Sequence, residues 1–316
     1  MWTQTWPIAD IQQLDREARK PDNCRERSKE IEAKKAKQVI TKARHQEVQL
    51  TVSEERWQGK LIKSRWDDEK LQLEKCFAWV SSWKYATTHT IAGVQELYQQ
   101  LLPTKVYYNR KTGSQVTDEN CRLCGNSLEN VHRILSSCSA LVQTKYLQRH
   151  NNALKILFFE VLRCLDLDLI TKVESWYSQV TPIPIYVNER AVVYWDIPLY
   201  AGTTHVKAYR IDATIIDMTN KQVRVIEMSC PWLENREVKD IEKTTKYSQL
   251  RLELTKRYPE YKINKYNIII DFLGGCSKEV EQNIKELVGD KYGSSMRQMQ
   301  KAILLLQFCT FLEHSS

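Results

Sequence analysis

No stretch of this chain reaches the roughly 20 consecutive apolar residues that a membrane-spanning helix needs. The two most apolar runs fall short: Leu154 to Leu165 is broken by Glu160 and Arg163, and Ala302 to Leu312 is too brief. A membrane protein is therefore not expected. The opening residues Met1-Trp2-Thr3-Gln4 lack the basic-then-apolar order of a secretory leader. The 9 cysteines are accordingly expected in a reducing compartment, as thiols or metal ligands. A strong charge of one sign is also missing. The 47 Lys plus Arg against 39 Asp plus Glu leave +8, which favours an anionic partner such as nucleic acid without requiring one. What is present is an ordinary globular mixture. Its 316 residues are 42% hydrophobic and 27% charged, enough apolar material for two or three small cores.

Between Asp15 and Glu47 glycine is absent and apolar residues are few, while basic residues outnumber acidic ones. The segment is predicted to be helical, with Pro21 able to break it. Ile31, Val39 and Ile40 give it no wide apolar stripe. Residues 1–53 thus form a basic charged helix or linker that is either solvated or laid on nucleic-acid phosphates. Residues 54–118 form a small helical region. There Trp57, Leu61, Trp66, Leu71, Leu73, Phe77, Trp79, Val80 and Trp83 recur at helical spacing, which marks them as core anchors rather than base-stacking platforms. A second amphipathic run, Thr90 to Leu102, is expected to be capped by Thr90 and ended by Pro103.

Residues 119–176 hold Cys121-Arg-Leu-Cys124, then His132, then Cys138, and a strongly amphipathic helix from about Ala140 to Leu165. Two cysteines at this spacing grip one zinc ion from a tight turn that Gly125 relieves, and a His and a Cys complete the tetrahedron. Buried thiols without a metal are the alternative. From residue 177 onward the texture is β. Pro182 and Pro184 mark a linker, Ala191 to Trp195 is an apolar strand, and Lys207–Met218 and Lys221–Cys230 flank the turn Thr219-Asn220 as a hairpin. A helix at about 236–257, a strand at 262–272 and two helices at 278–288 and 294–312 follow. Apolar residues on both strand faces call for helices on both sides, hence a three-layer α/β module.

Asp212 and Glu227 are acids in otherwise apolar strand centres. A hairpin symmetric about Thr219 and Asn220 sets them directly opposite, with Cβ atoms about 4.5–5.5 Å apart. A four-residue loop about the same centre keeps this pairing, whereas a three-residue loop shifts it by one and puts the acids on opposite faces. Paired carboxylates in a half-buried site share a proton or hold a cation, and oxygen-only ligands suit Mg2+ or Mn2+. Solvated acids at a sheet edge are the alternative. On the following helix Lys243 and Lys246 share one face. A lysine there would orient an attacking water or stabilise transition-state charge, unless that face is simply solvated.

Several blocks, in order, carry a resemblance. They are Arg56-Trp-Gln-Gly-Lys60, Cys76-Phe-Ala-Trp79, Thr88-His-Thr-Ile-Ala-Gly93, Glu96 to Pro103, Cys121 to Gly125, Gln143-Thr-Lys-Tyr146 and Arg149-His150-Asn151. Tyr194-Trp-Asp196, Glu227 to Trp232, Glu242-Lys243 and Lys246-Tyr247 continue the series. From about residue 54 to its end the chain resembles the C-terminal part of non-LTR retrotransposon polyproteins that carry a restriction-enzyme-like endonuclease. The resemblance implies an α+β multidomain protein, with a helical N-terminal half and a zinc knuckle, then a three-layer α/β PD-(D/E)xK-like nuclease domain over 177–316.

It further implies that Cys121, Cys124, His132 and Cys138 hold a structural Zn2+, and that Asp212 and Glu227 hold catalytic Mg2+ or Mn2+. The lysine expected two residues after the second acid is Ser229 here, so Lys246 is the first candidate on the helix and Lys243 the second. Two positions depart from the pattern. Ile211 replaces a proline before the first acid, and Arg133 stands where the histidine ligand is usual, so His132 must act from one position earlier. No aromatic-x-Asp-Asp polymerase tetrapeptide on a hairpin is present, since Trp66-Asp67-Asp68 leads into a helix. The implied function is nicking of target DNA in the nucleus, with DNA and element RNA as partners. The alternative is a catalytically inactive nucleic-acid-binding fragment of the same element.

Overall fold

The computed structural model describes residues 25–53, 59–85, 87–113, 118–167, 178, 180–199 and 209–315. The chain divides into two compact units, Met1–Lys60 and Leu61–Ser316. In the first, α1 (Arg25–Ser53) is one helix of 29 residues. Its side chains are mostly exposed, Leu50 at 70% among them. Such a helix, polar all round, has no apolar face to bury and depends on local pairs such as His45 with Gln49. Among the described residues no helix is long and apolar enough to cross a membrane.

The second unit begins with short helices: α2 (Lys60–Trp66), α3 (Leu73–Cys76), a 3-10 stretch at Ala78–Tyr85, α4 (Thr88–Tyr98) and α5 (Lys105–Thr112). The cap of α4 is Thr87 rather than Thr90. Its hydroxyl accepts the Thr90 N–H at 3.2 Å, satisfying one of the free donors of the first turn. The helix stops at Tyr98 because Gln100 turns to a positive φ of 56°, before Pro103 is reached. The cysteine segment and two irregular π turns then lead into α6 (Leu147–Cys164), whose stretch Ala153–Leu162 is buried throughout.

After α6 come β1 (Ile185–Val187), β2 (Ala191–Trp195), the small pair β3 (Pro198–Leu199) and β4 (Tyr209–Arg210), β5 (Ala213–Asp217) and β6 (Gln222–Ser229). The helices α7 (Arg236–Lys246) and α8 (Ser248–Arg257) cross to β7 (Lys262–Ile269), and α9 (Lys278–Val288) and α10 (Tyr292–Ser315) close the chain. The main sheet has the order β1-β2-β5-β6-β7. Its first four strands are antiparallel neighbours, and β7 lies parallel to β6. A parallel neighbour needs a crossover, and α7 and α8 supply it.

Alternation along the strands sends two sets of side chains to two cores. Val193, Trp195, Ala213, Ile215, Ile226, Met228 and Ile268 join Leu157, Phe158, Ile284 and Met299 from α6, α9 and α10. Ile216, Val223, Val225 and Ile263 face Tyr247, Leu250 and Leu254 of the crossover. Each fully buried Leu, Ile or Phe contributes about 1.5–3 kcal/mol, so neither face is left to water. The expected helical half followed by a mixed sheet with helices is thus observed.

A third cluster joins Leu61, Trp79, Leu97, Cys121, Ile134, Trp232, Phe272 and Leu304. Residues of the helical region, the cysteine segment and the sheet thus meet in one cluster within the second unit. A buried carboxylate clamps them. Asp271 accepts from Arg65 Nη2 at 2.6 Å, Arg236 Nη1 at 2.6 Å, and the N–H groups of Leu273 and Gly275 at 2.9 Å. Only glycine fits at 275, where a Cβ would stand 2.3 Å from Asp271 Oδ2. Removing one partner of such a buried pair costs about 3–5 kcal/mol, because the other charge stays buried and unpaired.

Candidate functional site

The β5–β6 ladder pairs Ala213 with Ile226 and Asp217 with Gln222. Asp217 secures the turn, its carboxylate accepting the Asn220 N–H at 2.9 Å and the Asn220 side-chain amide at 2.8 Å. This is the register expected from symmetry about Thr219 and Asn220, and its next step is Asp212 opposite Glu227. Asp212 itself lies just before β5, where the strand expected over 207–218 is interrupted between β4 and β5. Its carbonyl takes the Asp196 N–H at 3.0 Å, and its Oδ2 takes the Met228 N–H at 2.7 Å. That second bond turns the carboxylate along the sheet toward β6. Glu227 is 1% exposed.

Lys243 of α7 lies between the two acids. Its Nζ is 2.6 Å from Glu227 Oε2 and 3.7 Å from Asp212 Oδ2. The geometry therefore brings the second of the two candidate lysines to the acids. Lys246 is the last residue of α7, and its side chain lies outside the described residues. One ammonium cannot neutralise two carboxylates. Oε1 of Glu227 remains buried with no hydrogen-bond partner among the described residues. Burial, then the charge of Asp212, pushes the Glu227 carboxyl above its ordinary pKa, with Lys243 opposing. Asp212 moves the other way. Burial disfavours its charge too, but the His150 hydrogen bond and the charges of His150 and Lys243 outweigh that and lower its pKa.

Two residues of the site carry no signal in the local pattern. His150, in the first turn of α6, places Nε2 3.2 Å from Asp212 Oδ2. Burial disfavours the imidazolium, but the hydrogen bond and charge of Asp212 outweigh it and raise the His150 pKa. Lys265 on β7 has a buried Nζ without a hydrogen-bond partner among the described residues, set 5.2 Å from the centre of the Tyr247 ring. Its ammonium points to the face that carries Glu227, and burial holds it down to about 8. His150 is 62 residues from Asp212 in the chain, so no spacing rule links them.

The cysteine segment forms a second centre. Sγ atoms of Cys121, Cys124 and Cys138 lie within 4.8 Å of one another, with Cys121 and Cys138 at 3.8 Å. Among the described residues this is the one set of three or more ligand-type atoms so closely grouped. Gly125, at φ 67°, closes the turn after Cys124. The outer walls are braced by Glu129, which accepts from Arg122 Nε at 2.9 Å and from the Arg122 N–H at 2.9 Å. Tyr146 donates to Ile134 O at 2.8 Å and accepts the Cys138 N–H at 2.9 Å.

His132, the expected fourth ligand, does not join the thiols. Its ring is edge-on to Trp232, centroids 4.6 Å apart, and burial lowers its pKa. Arg133 reaches the cysteines instead, Nη2 at 3.3 Å from Cys124 Sγ. Consecutive residues on a helical turn point in directions about 100° apart, so both side chains cannot face the same thiols. The Asn126 N–H and the Arg133 guanidinium hold the Cys124 thiol down to about 6, whereas burial pushes Cys138 up to about 11. Three clustered sulfurs of this kind fit a structural metal ion such as Zn2+.

No protein-family model matches the chain, and no curated protein does.

Proposed function

We propose that the chain is a metal-dependent DNA endonuclease module of a retrotransposon-derived protein, with a PD-(D/E)xK-like domain and no reverse-transcriptase palm. The observation that carries this reading is the meeting of Asp212, Glu227 and Lys243 on one sheet face under α7. The order of four antiparallel strands, crossover helices and a parallel strand supports it, because such a sheet exposes strand ends beside the crossover. A divalent cation would suit the two acids in place of the lysine charge that now lies between them. Two acids surround a position that the chain's own ammonium fills in part, and Glu227 Oε1 still lacks a donor.

Asp212 and Glu227 would hold Mg2+ or Mn2+. Once bound, the ion supplies Lewis-acid stabilisation of phosphate charge and a lowered pKa for water. The rest falls to the protein. The Met228 N–H keeps Asp212 aimed at the site. Lys243, freed from spanning the acids, presents its ammonium to the charge that develops on the phosphodiester oxygens. The thiol centre, as a zinc knuckle, and the basic helices would grip DNA and element RNA in the nucleus.

Nicking of supercoiled plasmid with Mg2+ tests the reading. The intact chain should convert supercoiled to open-circle DNA, Asp212→Ala should abolish the conversion, and Lys243→Ala should slow it by about 10²–10³-fold, the loss typical of a transition-state donor. Salt-sensitive DNA binding with no nicking would instead identify a catalytically inactive nucleic-acid-binding fragment.

A further inference from the structure

The short helical turn after Asn130 decides which side chain meets the thiols of the cysteine segment. Asn130 Oδ1 accepts the Arg133 N–H at 2.8 Å and fixes where the turn begins. Ile134 and Leu135, 0% and 1% exposed, fix its rotation by filling the core. In that rotation His132 lies edge-on against Trp232, which is itself stacked on the buried Phe272 ring with centroids 4.2 Å apart. Bringing the imidazole round to the thiols would turn the segment by about 100°. Ile134 and Leu135 would then leave the core and lose their burial.

The sulfurs are ringed by donors. The Asn126 N–H is directed at the Cys124 sulfur and the Ala140 N–H at that of Cys138. Arg133 Nη2 stands 3.3 Å from Cys124 Sγ, and its charge acts on all three cysteines. Donors so placed are the outer partners that orient and stabilise metal-bound sulfur. The spacing agrees. Two sulfurs bound to one ion at the tetrahedral angle, each about 2.3 Å from it, stand about 3.8 Å apart. Cys121 and Cys138 are 3.8 Å apart, and all three sulfurs lie within 4.8 Å of one another. Three thiolates about a divalent ion leave one negative charge in excess. A guanidinium, always charged, cancels it without taking a coordination position.

We infer that Cys121, Cys124 and Cys138 alone hold the ion, that Arg133 is the outer partner balancing its charge, and that the fourth position belongs to a ligand from solvent. This rests on the metal centre described above and changes its character. Structural zinc sites are closed by four protein ligands, whereas three leave one position for water or another small donor. Among the described residues no fourth His, Cys, Asp or Glu atom joins the group. The centre would thus accept a nitrogen donor from solution, as a closed knuckle does not.

The test is X-ray absorption at the zinc edge on the full chain loaded with Zn2+ alone, beside the visible spectrum of the same chain loaded with Co2+. Three sulfurs at about 2.3 Å and one oxygen at about 2.0–2.1 Å are expected, without outer scattering from an imidazole ring. Added imidazole should shift the Co2+ bands in a single saturable step, in the wild type and in His132→Gln alike. Arg133→Gln should weaken Zn2+ binding by about tenfold or more, as loss of an outer partner does. Ring scattering in the wild type that vanishes in His132→Gln, a fourth sulfur, or Co2+ bands blind to imidazole overturns the open three-thiolate site. Unchanged Zn2+ affinity in Arg133→Gln overturns the role of Arg133. The wild-type spectra decide the ligand set even if a variant folds poorly. Zn2+ binding that is no weaker in Cys121→Ser removes the metal centre itself, and the inference with it.

Discussion

Lys265 concentrates the electrostatic problem of the site in one side chain. Its Nζ is buried, has no hydrogen-bond partner among the described residues, and rests over the Tyr247 ring. Burial, reinforced by the charge of Lys243 and opposed by those of Glu227 and Asp240, holds it down to about 8. The ordinary lysine value is 10.5, so between about 8 and that value the unfolded chain binds more protons than the folded one. Stability therefore rises with pH across this window, and below it the full penalty of the buried charge applies. Lys265→Met keeps the stem over Tyr247 and removes the charge. Urea unfolding should find this variant more stable than the wild type at pH 7, with the gap closing by pH 10. A gap that does not depend on pH would mean that the ammonium is fully solvated in the native state. The cation–π contact with Tyr247 returns only part of the cost, about 0.5–2 kcal/mol.

At the level of elements, the site depends on one turn. The four residues Met218 to Lys221 join β5 to β6, and Asp217 and Gln222 close the ladder. One glycine inserted between Thr219 and Asn220 moves every partner by one place and sends Asp212 and Glu227 to opposite faces. Secondary structure by circular dichroism should change little, while nicking and Mn2+ binding are lost together. Retained Mn2+ binding would mean that a bulge absorbs the extra residue. This register was legible in the sequence as the solution symmetric about Thr219 and Asn220, and the four-residue loop Met218 to Lys221 keeps that centre where a three-residue loop would not. Ala191–Trp195 and Lys278–Val288 were legible for similar reasons of run length and period. Other features were hidden. Tyr247 divides the crossover into α7 and α8 although no proline or glycine marks the break. The edge strand Ile185–Val187 follows Pro184 and buries little, so composition presents it as a linker. His150 and Arg133 act through contacts made by other segments, and only the folded chain aims Arg133 rather than His132 at the thiols.

At the scale of the molecule, charge placement matters more than the total of +8. Between Lys34 and Arg44, α1 carries five basic residues and no acidic one, and all five are exposed. Lys34, Lys37 and Lys42 recur at helical intervals along one side, where a shallow groove also exposes Thr41 and His45. Such a row neutralises phosphates without reading bases, so its contribution should be independent of sequence and sensitive to salt. Each phosphate contact adds about 0.9 to the slope of log K against log salt on duplex DNA. Lys34→Gln, Lys37→Gln and Lys42→Gln combined should therefore flatten that slope by up to about 2.7 and weaken every duplex alike. Fluorescence anisotropy with two unrelated duplexes over 50–200 mM salt measures both. An unchanged slope would assign α1 to solvent and leave the phosphate grip to the second unit. A flattened slope with unchanged nicking at saturating DNA would separate the two tasks, because the row would then raise the local concentration of substrate and take no part in the chemistry at Asp212 and Glu227.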